Sequence, residues 1–433
     1  MRYSIPEGWE LREFSSFMTE STVKNKTKKD YPPLSITQGQ GVILQSDKYN
    51  KRIASEDTST YKIAPKGTVV MNPNYLNYGA IGIQDKVDNG LVSSIYGVFQ
   101  MDYTVNHRYM RHLLRSKKMI AEYNRYANGG CAVVHTGELH GMHVRLTVPI
   151  KDFLAIKWVL PPLQEQQKIA VILSSVDEVI EKTEAIIEKI EEVKKGLMQQ
   201  LFTKGIEHTK FKKTEIGEIP EEWESVKITD IAENEKNAVK PGPFGSSLKK
   251  ESYVKFGYKV YGQEQVIAND FTIGDYYIDN KKYEELNSFK VKPFDLLISL
   301  VGTFGKIAVM PERNFKPGII NPRLLKVTFD KSKANVYFYK YYMSSSFFYR
   351  QLEGMSQGGT MGVINGKILK SIYFPFPPLE EQNRIVNMLT KIDNKIGVEK
   401  RKYEKLQSLK KGLMQSLLTG KSRVKVDGIK VTK

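Results

Sequence analysis

Cysteine is almost missing from this chain. Cys131 stands alone, so no disulfide can close within the chain and no zinc cluster can be built on several thiolates. No run approaches the roughly 20 consecutive apolar residues that a membrane-spanning helix needs. The opening Met1-Arg2-Tyr3-Ser4-Ile5 has no apolar stretch to act as a secretory signal, which predicts a cytoplasmic protein. Acid is also short. Asp and Glu number 48 against 66 Lys and Arg, leaving a formal net charge of +18. Such an excess attracts a polyanion, with nucleic acid as the leading candidate. No nucleophile, base and orienting partner can be assembled, and nothing suggests a bound nucleotide.

What is present is a duplication. Pro161-Pro162-Leu163, Glu165-Gln166, Asp177 and Lys194-Lys195-Gly196-Leu197-Met198-Gln199 return as Pro377-Pro378-Leu379, Glu381-Gln382, Asp393 and Lys410-Lys411-Gly412-Leu413-Met414-Gln415, with no gap between matches. The lead-in Ile5-Pro-Glu-Gly-Trp9 also returns, as Ile219-Pro-Glu-Glu-Trp223. Matches at both ends of the unit indicate that all of it was duplicated. Each unit is a variable block followed by a long helix, and 433 residues with 40% hydrophobic content can bury more than one core.

The first block runs from about Trp9 to Val159. Short apolar runs at Gly67–Met71, Ile81–Ile83 and Ser94–Phe99 read as strands, and Arg108–Tyr126 reads as one basic helix. In the second block, about Trp223 to Pro375, Leu296–Val301 and Lys306–Met310 read as strands and Val336–Leu352 as one aromatic helix. The expected class is α+β.

In the repeated helix Ile169, Leu173, Val176, Ile180, Thr183, Ile187, Ile190, Lys194, Leu197 and Leu201 alternate spacings of four and three, the a and d positions of a heptad. Ile385, Leu389, Ile392, Ile396, Glu399, Tyr403, Leu406, Lys410, Leu413 and Leu417 keep that register in the second copy. Each helix spans roughly 60 Å at 1.5 Å per residue. Gly205 and Gly420 fall where C′ residues belong. Two helices of matching register are expected to pair as an antiparallel coiled coil, giving an internal pseudo-dimer with a block at each end.

Candidate DNA-facing residues follow from charge and flexible backbone. Gly242, Pro243, Phe244, Gly245, Ser246, Ser247 and Lys249 form a loop with hydroxyls and a lysine, as a chain approaching phosphates requires. Gly302, Thr303, Gly305 and Lys306 have the same ingredients after a strand, and Asn72, Tyr75 and Tyr78 are their counterparts in the first block, read as a strand-turn with an exposed tyrosine. Gly129-Gly130 and Gly358-Gly359-Thr360 follow the two block helices. Asn72-Pro73-Asn74-Tyr75 lacks the second proline of an adenine-methyltransferase motif, and Gly420-Lys421-Ser422 lacks the earlier glycine and strand of a phosphate loop. Cys131, His135, His140 and His143 have no zinc-finger spacing, so no metal is expected. Glu165 and Glu381, in the first turn of each helix, are expected to complement the macrodipole or cap its N–H groups. An enzyme with a cryptic site and a coiled-coil scaffold that ignores DNA remain the alternative classes.

The duplicated Pro-Pro-Leu-x-Glu-Gln, the Lys-Lys-Gly-Leu-Met-Gln helix ends, the Ile-Pro-x-x-Trp lead-ins and Gly242-Pro-Phe-Gly-Ser246 occur in an order similar to the specificity subunits of type I restriction-modification systems. The resemblance implies two target recognition domains, residues 1–159 and 206–375. Two antiparallel spacer helices, 160–205 and 376–421, separate them, and a basic tail follows at 422–433. It also implies a non-catalytic chain that reads an asymmetric, bipartite DNA site. S-adenosylmethionine would belong to two partner modification subunits, and ATP and Mg to two restriction subunits. The first block departs from the second in lacking the Gly-Pro-Phe-Gly-Ser loop and in having extra residues between Gly130 and Pro161.

Overall fold

The computed structural model describes residues 5–49, 53–129, 146–300, 305–355 and 366–425. The chain divides into two compact units, Met1–Glu184 with Arg401–Lys433, and Ala185–Lys400. Each unit contains one variable block together with half of each long helix. Among the described residues no helix is long and apolar enough to cross a membrane.

In the first unit, strand Glu10–Glu13 pairs antiparallel with Lys157–Leu160, so the block closes on itself just before the long helix begins. A four-stranded antiparallel sheet has the order Met18–Glu20, Gly97–Met101, Val69–Met71, Ile81–Ile83. Val69-Val70-Met71 is buried throughout because alternate side chains serve two cores. Val69 and Met71 join Phe14, Phe99 and Phe153, whereas Val70 joins Leu34, Ile36 and Val92. A hairpin, Leu34–Thr37 with Gly41–Leu44, and the pair Lys62–Pro65 with Asn89–Val92 are additions to this frame.

The second unit repeats the frame with different additions. Glu224–Lys227 pairs with Tyr373–Phe376, and the four-stranded order is Val239–Pro241, Leu324–Val327, Leu296–Ser299, Ile307–Val309. The same alternation places Leu296 and Ile298 in one core and Leu297 in another. The addition is a three-stranded sheet of Tyr277–Ile278, Tyr258–Tyr261 and Gly318–Ile320, the last two parallel.

Each helix expected as a single element in the blocks is two. His107–Leu114 stops at Arg115, and Lys117–Arg125 starts afresh because the Ser116 side chain accepts from Met119 N. Val336–Met343 and Ser346–Met355 break across Ser344 and Ser345, whose hydroxyls donate back to Lys340 O and Tyr342 O. Such local bonds compete with helix continuation.

The long helices are Leu163–Thr203 and Leu379–Leu417. Within the first unit Asp177 meets Lys410 at 2.5 Å, and Ile169 and Leu173 share a core with Leu417 and Leu418. Within the second, Glu191 meets Lys400 at 2.8 Å and Lys194 meets Asp393 at 2.6 Å. As numbers rise on one helix they fall on the other, so the pairing is antiparallel in each unit. Ile169, Leu173, Ile180, Thr183, Leu201, Ile385, Leu389, Ile396 and Leu417 are buried. Val176, Ile187, Ile190, Lys194, Leu197, Ile392, Glu399, Tyr403, Leu406, Lys410 and Leu413 are half-buried, and most residues between these positions are exposed. Gly205 and Gly420 adopt φ of +63° and +70° beyond the helix ends.

Candidate nucleic-acid interface

Three loops leave one end of the four-stranded sheet in the second unit. Pro241 pairs with Leu325, Ser299 with Leu324 and Ile298 with Ile307, so segment 242–249, turn 321–323 and the turn ending at Gly305-Lys306 converge there. Gly242 donates its N–H to Leu324 O at 2.8 Å, and a Cβ on it would overlap the Asn321 carbonyl, which only glycine avoids. Leu300 donates to Arg323 O at 2.9 Å. Pro243 and Leu248 are buried, while Phe244, Gly245 and Ser246 are exposed and Ser247 is half-buried. Lys306 and Arg323 are also exposed at this end, and Lys249 and Lys250 are exposed directly after the loop, with exposed Glu251 next in sequence and exposed Glu264 close to Asn321. Tyr349 OH donates to Gly305 O at 3.0 Å, and burial pushes its pKa up, so it stays a protonated donor. Gly302, Thr303, Gly358, Gly359 and Thr360 lie outside the described residues.

The corresponding end of the first unit's sheet has Asn72–Gly79 in the equivalent place, between the strands Val69–Met71 and Ile81–Ile83. Pro73–Tyr78 is a short 3-10 helix rather than a plain strand-turn, capped by Asn72 Oδ1 accepting from Asn74 N at 3.1 Å. Asn72 is buried and its Nδ2 donates to Tyr96 OH at 3.3 Å, whereas Tyr75 and Tyr78 are 42% and 48% exposed. Gly129 sits in a two-residue strand paired with Leu146–Thr147, and Thr147 Oγ1 donates to Asn74 Oδ1 at 3.0 Å. This ladder therefore adjoins the turn. Gly130, Cys131, His135, His140 and His143 lie outside the described residues. Among those described, no group of three His, Cys, Asp or Glu could hold a metal.

Sequence reasoning passed over the segment that leaves strand Met18–Glu20, which occupies the place of 242–249. Lys24, Lys26, Lys28 and Lys29 are exposed around buried Asn25, whose side chain accepts from Lys29 N at 3.0 Å and donates to Lys29 O at 2.8 Å. Its signal was a visible lysine run. Asn321 and Arg323 had none, because their position follows from strand pairing.

Glu165 and Glu381 belong to neither loop cluster. Both are buried in the first turn of their helix, where a carboxylate complements the macrodipole, and rather than capping that helix's own N–H groups they gather distant segments. Glu381 accepts from Trp223 Nε1 and Ile206 N, each at 2.8 Å, and His208 Nε2 lies 3.0 Å from both its oxygens. Glu165 accepts from Trp9 Nε1 at 3.1 Å and from Arg423 Nε and Nη2 at 2.9 Å. Gly205 packs against the first of these clasps, where a Cβ would meet Glu381 Oε1 at 2.6 Å and Trp223 at 2.8 Å. The neighbouring glutamines fasten the block helices: Gln166 Oε1 accepts from Asn106 N and Gln382 Oε1 from Asn335 N, each at 2.8 Å. Asn106 and Asn335 are the N-caps of His107–Leu114 and Val336–Met343. The copied motif is therefore a clasp that orients a block on its helix pair. Carboxylates so enclosed by donors have a structural role.

A second repeated contact joins the same parts. Tyr341 OH donates to Asp393 Oδ2 at 2.7 Å, and His112, on the equivalent block helix, has Nδ1 3.7 Å from Asp177 Oδ2. Burial pushes Tyr341 up to about 12 and, with help from Lys410, Arg111 and Arg115, pushes His112 down to about 4 against the pull of Asp177.

One sheet built twice, with unlike loops at the same end and a copied clasp behind, defines a duplicated recognition protein. The chain belongs to the type I restriction modification DNA specificity domain family, whose model matches residues 139–192 and 220–408, more than half of the chain. It is similar to the type I restriction enzyme MjaVIII specificity subunit of Methanocaldococcus jannaschii, at 34% identity over 284 residues, 64% of each chain. The MjaX specificity subunit of the same organism is 30% identical over 435 residues, 97% of this chain and 95% of that one. Among solved structures, the S subunit of a type I restriction-modification system from M. genitalium is 14% identical with a TM-score of 0.51, covering 96% of this chain and 98% of that one. A chain from a study of assembly and conformational transition in the type I R-M system is 16% identical with a TM-score of 0.58, covering 97% and 100%. At these identities the structural likeness concerns the fold.

Proposed function

We propose that this chain is the non-catalytic DNA-reading subunit of a type I restriction-modification complex and that each unit reads one half of an interrupted duplex site. The observation that carries the reading is the shared sheet order with different loops at one end: 242–249, 305–306 and 321–323 in one unit, Lys24–Lys29 and Asn72–Tyr78 in the other. A shared frame gives a common way of docking, and unlike loops give unlike half-sites. The net charge of +18 supplies the sequence-independent attraction to phosphates.

In this reading the long helices fix the gap between half-sites and hold the partners. Those partners are two modification subunits carrying S-adenosylmethionine-dependent adenine methylation and two restriction subunits using ATP and Mg. Binding-site selection with the assembled complex tests it. Two short unlike motifs at one fixed gap are expected; a single contiguous motif or no preference contradicts it.

A further inference from the structure

We propose that Phe244 is an apolar wedge that enters the second unit's half-site and unstacks one base step. The inference rests on the DNA-reading function above and assigns one side chain a task that phosphate contacts cannot perform.

Phe244 is 87% exposed, although a phenyl ring is ordinarily among the first groups a fold buries. Its exposure is built in. Gly242 is pressed against the Asn321 carbonyl and bonded to Leu324 O, Pro243 and Leu248 are buried, and the 3-10 turn Gly245–Ser247 folds the four residues between them outward. Ser247 N donates to Phe244 O at 2.8 Å and fixes the backbone at the ring itself. The loop is thus pinned on both sides and can hold the ring in water before any partner arrives.

The surroundings select the partner. Exposed Lys306 and Arg323 share this end of the sheet, and exposed Lys249 and Lys250 follow the loop directly; outnumbering exposed Glu251 and Glu264 near them, these four cations suit a polyanion rather than an apolar protein surface. A phenyl ring has no group to donate to a phosphate or a base edge. Toward duplex DNA it can stack on a base face or wedge between base pairs, as apolar side chains of DNA-bending proteins do. The first unit presents tyrosines, Tyr75 and Tyr78, at its corresponding end, so aromatic presentation is shared while the polar handle is not.

The test uses the full chain in its complex and the duplex recovered by site selection, with 2-aminopurine placed in turn at each adenine of both half-sites. Wild type is expected to raise fluorescence at one step of the second unit's half-site, apart from the adenines that the modification subunits flip out, whose signal is the same in wild type and Phe244→Ala. Phe244→Ala should abolish that rise and weaken binding about tenfold, with the other half-site unaffected. Phe244→Trp should retain the rise, which guards against misfolding as the explanation. Equal fluorescence in wild type and Phe244→Ala overturns the wedge. So does weaker binding by Phe244→Ala with no fluorescence change that is matched by replacing thymine with uracil, because the ring then only touches a thymine methyl. Failure to recover any site contradicts the DNA-reading function itself, a separate result.

Discussion

At Asp177 and Asp393 one carboxylate meets a lysine of the opposite long helix and a side chain of its own block, and the two copies differ only in the last partner. His112 stands in one and Tyr341 in the other. This difference has a pH consequence. His112 is depressed to about 4 from an ordinary 6.5, so between these values the unfolded chain binds the proton and the folded one does not. Stability from this group is complete above pH 6.5 and is lost as pH falls toward 4, to a limit of about 3 kcal/mol. Replacing it with the residue its copy uses, His112→Tyr, should flatten the loss. Denaturant midpoints measured at pH 7 and pH 4.5 check this, and an unchanged pH slope contradicts it. The pairing of these residues was not legible in the sequence, where His112 was one position on a basic helix. Likewise the partners of Glu381, namely Trp223, Ile206 and His208, lie far from it along the chain.

The long helices were legible because a heptad is a local pattern that each turn restates, and their length, register and glycine ends needed no distant information. The block helices were read at the right places but as single elements, because the apolar spacing continues through Ser116 and through Ser344-Ser345 while the hydroxyls interrupt the backbone. Sheet order could not be read, since neighbours such as Val239–Pro241 and Leu324–Val327 are joined by pairing alone. At this scale Lys194 and Lys410 explain themselves. A lysine at a core heptad position weakens a coiled coil unless it is paired, and each is met by an aspartate of the other helix. Asp177→Lys and Lys410→Asp should each destabilise the pair, and together recover most of the loss. The expected coupling is about 1 kcal/mol for a partly exposed ion pair. Strict additivity in a double-mutant cycle by thermal unfolding contradicts this.

For the whole molecule, the duplication keeps the clasp, the helices and the four-stranded frame, and lets the loops at the sheet ends and the added strands diverge. The copied parts were visible as motifs because they are the same twice. The proposed reading surfaces were visible only as scattered glycines, tyrosines and lysines, and of the residues assigned to them Gly130, Gly302, Thr303, Gly358, Gly359 and Thr360 lie outside the described residues. The central claim is that each block independently specifies one half-site. It is tested most directly by building a chain in which Trp223–Phe376 is replaced by Trp9–Leu160, keeping both long helices, and selecting its DNA target in complex with its partners. The account predicts that the first block's half-site appears twice and the second block's motif disappears. Recovery of the original asymmetric site contradicts it.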